Sequence, residues 1–278
     1  MILCAGPIGN LGDAAPRLGE ALAGADVVYA EDTRRARVLL QHLGVDCPTR
    51  SYFVGNEADR AVEMAGRLAA GETVALLTDA GTPGIADPGL TAVRAAIEAG
   101  AAVTGVPGPS AVTMALAVSG LPADRFVFEG FLPRKGRRRT DLIRGLRDEE
   151  RTVVMFCAPS RLAADLTDLA SVSDPERPVV VCRELTKLYE ELWRGTIEQA
   201  AAHWSEHEAR GEVTVVVGGA GPIVPDLEEA VVAAARLMEG GVAASRASRI
   251  VAEDTGVARR LIYEGLVRRR RGGAGDGD

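Results

Sequence analysis

Apolar runs too short to be helices alternate with stretches of helical spacing through the first 120 residues. That alternation constrains the fold more than any other feature. The runs are Met1–Ala5, Val27–Ala30, Arg50–Phe53, Thr73–Leu77 and Ala102–Val106. Between them, Arg17–Ala23, Thr33–Leu43, Asp59–Ala70 and Leu90–Ala99 repeat Leu, Val and Ala at helical intervals. Strands and helices in strict alternation predict a parallel sheet with helices on its faces. The pattern restarts after about residue 120, with strands expected at Phe126–Phe131, Thr152–Phe156, Val179–Cys182, Glu190–Arg194 and Val213–Val217. Helices are expected near Asp141–Leu146 and Arg161–Leu169. The expected organisation is therefore two α/β domains, 1–118 and 119–221, then a helical segment over 222–270 and a disordered tail, 271–278.

Open parallel sheets bind ligands outside the carboxyl ends of their strands. Three expected strand ends here run into loops rich in glycine and proline: AGPIGNLGD (5–13), the loop of LLTDAGTPGIADPG (76–89), and VPGPSA (106–111), which leads into an apolar helix at Ala111–Val118. A plain surface turn needs a few such residues, not a dozen. A dinucleotide enzyme is the first reading to test. Gly6, Gly9 and Gly12 are spaced three apart, so the GxGxxG fingerprint is missing. Pro7 also removes an amide donor from the would-be phosphate loop, although Glu31 and Asp32 end the second strand where a ribose is often held.

The net charge of −7 argues against a general nucleic-acid binder, but the charge is uneven. RKGRRR at 134–139 is basic at five of six positions, and RRRR stands at 268–271. Such clusters steer one region of an acidic chain toward phosphate; the alternative is a solvated linker and tail. The four cysteines have neither CxxC nor zinc-ligand spacing, so no metal is expected. No apolar run approaches the ~20 residues that span a bilayer, and no secretory signal is evident, so a cytoplasmic protein without a membrane partner is expected.

The blocks GPIGNLGD, AEDTRRARVLL, TDAGTPGIADPG, VPGPSAV, LPADRFVFEGFLP, CRELTKLYEE and RGEVTVVVGG, in that order, resemble the ribosomal RNA small-subunit methyltransferase I family of the tetrapyrrole methylase superfamily. The resemblance covers residue 1 to about 219. It implies a two-domain α/β tetrapyrrole methylase-like (class III methyltransferase) fold, a homodimer, and S-adenosylmethionine as donor. The implied activity is 2′-O-methylation of a cytidine ribose in the decoding region of small-subunit (16S) ribosomal RNA, with the RNA or the 30S subunit as partner. It further implies a donor pocket lined by Pro7, Ile8, Asp79, Gly81, Thr82, Pro83, Ser110 and Ala111, closed by Phe156 and Arg161.

The chemistry is an in-line displacement, in which a base or cation beside the 2′-oxygen helps. Glu31, Asp32, Glu184 and Lys187 are the candidates near strand ends, each of which could instead be an ion pair fixing the loops or the domain interface. Aromatics make up only 4% of the chain, so basic side chains must do most of the gripping of RNA. Arg134, Lys135, Arg137, Arg138 and Arg139 form the best cluster, Arg34 is a further candidate, and Arg259 and Arg260 belong to a helix-turn-helix-like stretch at 244–267. Two departures stand out: Cys157 replaces an acidic residue usual in the family, and Gly6 replaces a threonine. Two alternatives are carried, a corrin or porphyrin methylase and a non-catalytic RNA-binding or assembly protein on the same fold.

Overall fold

Val27–Ala30 and Val74–Leu77 bury every side chain, as strands covered on both faces must. They are β2 and β4 of a five-stranded sheet whose other members are β1 (Ile2–Cys4), β3 (Thr49–Ser51) and β5 (Thr104–Val106). The structure is a computed structural model and describes residues 1–221 and 227–272. Every pairing in this sheet is parallel, in the order β3-β2-β4-β1-β5. On one face, α1 (Pro16–Ala23) and α2 (Thr33–His42) pack Leu18, Leu22, Leu39 and Leu40 over Val28, Ala75 and Leu77. On the other, α3 (Glu57–Ala69) and α4 (Leu90–Glu98) pack Met64, Ala92 and Ala96 over Val27, Tyr29 and Leu76. The chain lays down β2 and β3, returns to insert β4 beside β1, and adds β5 on the far side of β1. Three carboxyl ends, those of β4, β1 and β5, therefore stand side by side.

The second sheet departs from expectation. It comprises β6 (Phe126–Phe131), β7 (Thr152–Cys157), β8 (Pro178–Arg183), β9 (Glu191–Thr196) and β10 (Val213–Val217), in the order β6-β7-β10-β8-β9. Only β6 and β7 pair in parallel; the other three pairings are antiparallel. The cause is local. Seven residues, 184–190, join β8 to β9, and so short a connection makes these two antiparallel. β10, reached from β9 through the helix Ile197–Glu206, runs in the direction of β9 and is therefore antiparallel to β8 and β7. Helices α6 (Arg137–Arg147), α7 (Leu162–Ala170) and α8 (Ile197–Glu206) cover one face, burying Leu146, Leu162, Leu166, Ile197 and Trp204. The other face receives α5 (Ala111–Ser119), whose Val112, Ala115 and Leu116 pack on Val154, Val180 and Val216. An apolar helix from the first half thus roofs the second sheet, and residues 1–220 form one compact unit.

Residues 221–278 separate as a second unit. Its α9 (Leu227–Glu239), α10 (Ala244–Thr255) and α11 (Arg259–Gly272) enclose Ala234, Ala247, Val251, Ile262 and Leu266. Gly256 ends α10 in the left-handed conformation, φ 74°, which a glycine adopts at little cost. α11 runs two residues beyond the expected end of the helical segment; the rest of the expected tail, 273–278, lies outside the described residues.

Candidate active site

The three glycine- and proline-rich loops meet above β4, β1 and β5. The Ala5 amide donates to the Val106 carbonyl (3.1 Å) and the Gly6 amide to the Gly81 carbonyl (2.9 Å), lacing the loops together. Gly81 has φ +66°, and a Cβ on Gly108 would stand 2.8 Å from the Ala5 carbonyl oxygen. Both positions require glycine, one for its backbone angle and one for its close approach.

Beneath them opens a cavity of about 430 Å³, a size suited to a small organic ligand. Its walls come from Ile8, Ala80, Gly81, Thr82, Ile85 and Asp87, from Ser110, Ala111 and Val112, and from the second sheet and its flanking loops. Phe131, Phe156 and Thr214 are successive cross-strand partners on β6, β7 and β10 and form a row across its floor. Phe131 reaches this row through a bulge: three residue steps from Phe128 on β6 match two from Val154 on β7. The extra residue re-aims the strand end. Phe131 lies 5.6 Å from Phe156, ring centre to ring centre, and remains 59% exposed.

The donor set is distinctive. Asp87 and Glu212 line the cavity, and no Lys, Arg or His does so among the described residues. The first amides of α5 open into it with no side-chain cap. A diphosphate ligand would meet carboxylates and no cation here. A zwitterion with a sulfonium fits: carboxylates and aromatic faces favour the positive centre, and uncapped helix amides accept a carboxylate. The residues present therefore fit S-adenosylmethionine.

Of the residues expected to hold the donor, Ile8, Gly81, Thr82, Ser110, Ala111 and Phe156 line this cavity. Pro7 and Asp79 instead line a neighbouring hollow of about 250 Å³, together with Asp32 and Arg35. Adjacent residues of each loop thus face different spaces. Pro83 is buried and Arg161 is ion-paired with Asp165 (3.2 Å); neither is on the cavity wall. Asp79 accepts from the Asp32 amide (2.9 Å) and pairs with Arg35 (3.3 Å), tying the ends of β2 and β4.

The four candidate bases are placed as follows. Asp32 caps α2, accepts from the Arg34 amide at 2.8 Å and grips the Arg34 guanidinium at 2.7 Å, which holds its carboxyl far below the usual range. Glu184 accepts from Lys187 (2.8 Å) and from the Glu212 amide (2.8 Å), and both contacts lower its pKa. Lys187 also reaches Glu212 (3.1 Å). Glu31 is half-buried, its carboxyl raised by burial and then by Asp79. None of Glu31, Asp32, Glu184 and Lys187 lines the cavity.

Arg139 corrects an expectation. It is 8% exposed, with its guanidinium on Asp165 (2.8 Å) and Asp168 (2.6 Å) and donating to the Pro133 carbonyl (3.0 Å). It cannot meet RNA phosphates. The reason is helical: α6 begins at Arg137, not near 141, so Arg139, Ile143 and Leu146 share its buried stripe. Arg134, Lys135, Arg137 and Arg138 remain exposed, the last two in the first turn of α6, where the helix dipole disfavours cations. Arg34 is exposed but committed to Asp32, Arg259 donates to Ser245 (2.8 Å), and Arg260 pairs with Glu264 (3.5 Å).

Cys157 is buried on the cavity wall, its thiol donating to Asp165 (3.2 Å). Burial, then the Asp165 carboxylate, push its pKa well up, so it stays a thiol. Sequence reasoning missed Asp87, Phe131 and Glu212. The signal for Asp87 was present, since it is the second aspartate of the TDAGTPGIADPG loop. The signal for Phe131 was Gly130, the kind of residue that marks a bulge in a strand.

Comparison with known proteins places this geometry. Residues 2–201 match the family described as Tetrapyrrole (Corrin/Porphyrin) Methylases. A protein of Synechocystis sp. named Ribosomal RNA small subunit methyltransferase I is 45% identical over 267 residues, covering 95% of this chain and 96% of that protein. A protein of the same name from Thermotoga maritima is 42% identical, and its match covers 79% of this chain and 98% of that protein. Among solved structures, the methyltransferase CobJ superposes with a TM-score of 0.60 at 20% identity, covering 79% of this chain and 94% of that one. Uroporphyrin-III C-methyl transferase from Thermus thermophilus, complexed with S-adenyl homocysteine, gives 0.55 at 22% identity, covering 78% and 95%.

Proposed function

The chain belongs to the tetrapyrrole methylase family and, within it, to the ribosomal RNA small subunit methyltransferase I group, and from that membership we propose that it methylates the 2′-oxygen of a cytidine ribose in the decoding region of small-subunit ribosomal RNA. The observation that carries the reading is the cavity: a cation-free, carboxylate-bearing space under three interlaced loops, floored by Phe131 and Phe156. When bound, S-adenosylmethionine supplies an electrophilic methyl group on a sulfonium. Gly81, Thr82, Ser110 and Ala111 hold it through backbone groups and the α5 amides, and Ile8 and Phe156 exclude water from its apolar parts. Pro7, Asp79, Pro83 and Arg161 act from behind, keeping the loops in place.

The RNA meets the protein at Arg134, Lys135, Arg137 and Arg138; the first of them follows Phe131 by three residues, within about 10 Å of chain from the cavity floor. Cations in the first turn of α6 weaken that helix, and phosphate binding is a reason to keep them. The Thermotoga relative is almost wholly matched by 79% of this chain, which supports assigning transfer to the two α/β domains, 1–118 and 119–221, together. The helical unit, with Arg259 and Arg260, adds grip. The protein acts as a cytoplasmic homodimer, its exposed Leu188 and Tyr189 offering apolar surface for pairing. Among the described residues no helix is long and apolar enough to cross a membrane, and no acidic, His or Cys group could hold a metal.

The test is ribose-methylation mapping of small-subunit RNA from cells lacking this protein. One decoding-region 2′-O-methyl group should vanish and return on complementation. An unchanged map rejects the assignment. The corrin and porphyrin alternative has no observation in its favour beyond the fold.

A further inference from the structure

Several carboxylates crowd the cavity and the loops around it, and those of Asp79, Glu212 and Asp165 have charged partners. Asp79 is held by the Asp32 amide and Arg35, Glu212 by Lys187, and Asp165 by Arg139, Arg161 and the Cys157 thiol. Asp87 differs. It lines the cavity, is half-buried, and has no hydrogen bond or ion pair among the described residues. It is also fixed in place. Ala86 before it takes φ +64°, an angle that non-glycine residues avoid, and Pro88 after it locks its own φ. A loop that holds an unpartnered carboxylate in a strained setting is keeping it for something. The same cavity offers the exposed ring of Phe131, on which an unpaired base can stack.

We propose that Asp87 is the catalytic residue that accepts the proton of the target ribose 2′-hydroxyl, an inference that rests on the methyl-transfer reading above. Asp87 takes the proton while the ribose oxygen bonds to the methyl carbon and the methyl–sulfur bond breaks, its electron pair returning to sulfur. The products are a 2′-O-methyl ether, a neutral thioether and a protonated Asp87, which returns its proton to water. The surroundings tune the group for this. Burial first, then the charges of Glu31, Asp79 and Glu212, push its pKa up to about 6. Arg35 and Lys187 are the cations nearest those neighbours, and each is already paired with a carboxylate. Asp87 is therefore more basic than an ordinary aspartate yet ionised at neutral pH, the condition a general base needs.

The experiment compares wild type, Asp87→Asn and Asp87→Glu in single-turnover methylation of small-subunit RNA at saturating S-adenosylmethionine from pH 5 to 9. Donor affinity is measured by calorimetry, and carboxylate titration by NMR on the protein without donor. The wild-type rate should rise with pH through an inflection near 6, matched by a carboxylate that titrates there and is missing from the Asn variant. Asp87→Asn should lower the rate roughly 10²–10⁴-fold and abolish the inflection, with donor affinity within about threefold. Asp87→Glu should restore part of the rate and the inflection. A rate within threefold of wild type in Asp87→Asn, or an unchanged inflection, overturns the assignment. A loss of donor affinity as large as the loss of rate overturns it too, making Asp87 a donor ligand. If wild type neither binds donor nor methylates RNA, the methyl-transfer reading fails first, and with it the basis of this one.

Discussion

The cavity and the basic stretch that leads into α6 lie three residues apart in sequence, Phe131 to Arg134, and differ completely in charge. One is walled by two carboxylates and, among the described residues, no cation; the other exposes Arg134, Lys135, Arg137 and Arg138. The difference separates two ligands of opposite charge. On the proposed reading, a sulfonium enters a space that repels phosphate, and a polyanion is held outside by cations that do not line that space. That arrangement would let an acidic chain grip RNA without confusing the two proposed sites. Arg139 marks the boundary: it is basic by sequence but turned inward to pair with Asp165 and Asp168, which links the base of the grip to the cavity wall at Cys157.

The largest effect expected from breaking this arrangement is in stability. Arg139→Ala leaves Asp165 buried beside a weakened pair and should destabilise the protein by about 3–5 kcal/mol. Arg138→Ala, one residue away, should change stability by less than about 0.5 kcal/mol. Chemical denaturation of the two variants checks the contrast, and equal losses would mean that Arg139 is no different from its neighbours.

Next comes donor binding. Gly108→Val drives a side chain toward the Ala5 carbonyl and should lower S-adenosylmethionine affinity by roughly 100-fold, about 2.7 kcal/mol. Calorimetry reads this, and RNA affinity should hold. The mirror experiment is Lys135→Ala with Arg137→Ala and Arg138→Ala. RNA affinity should fall, and the log–log salt slope should flatten by roughly 0.7–0.9 for each phosphate that is no longer neutralised, with donor affinity unchanged. Salt titrations with an unaltered slope would show that these side chains do not meet phosphate.

The smallest effect is the cost of keeping Asp87. Its folded-state pKa of about 6 lies above the ordinary aspartate value. Its contribution to stability is therefore fully present below about pH 4 and lost as pH rises through 6. Asp87→Asn should raise Tm at pH 7.5 by a degree or two, consistent with about 1 kcal/mol after discounting for solvent, and the gain should vanish at pH 4. A variant less stable than wild type at pH 7.5 would contradict this sign.

Much of the molecule was legible in the sequence. Val27–Ala30, Phe126–Phe131 and Val213–Val217 are strands with the expected bounds, because an apolar run closed by turn residues leaves little choice. The three loops were legible from glycine and proline alone. What escaped were features set by direction and distance. Periodicity carries no strand polarity, so the antiparallel pairings of the second sheet needed the short 184–190 connection to reveal them. Placing the α6 start four residues late hid Arg139 from the buried stripe. Which neighbour in a loop faces which hollow, Pro7 or Ile8, Asp79 or Ala80, depends on backbone turns that composition does not encode.

The central claim, that a cation-free cavity donates a methyl group to RNA held by the basic rim beside it, is tested most directly by transfer itself. Small ribosomal subunits from cells lacking this protein are incubated with the purified chain and methyl-labelled S-adenosylmethionine, alone or with the Lys135, Arg137 and Arg138 alanine variant. The expected result is label on one ribose 2′-oxygen in the decoding region, with the variant binding donor normally and transferring far less at physiological salt. Absence of label on RNA, or equal transfer by the variant at every salt concentration, would contradict it.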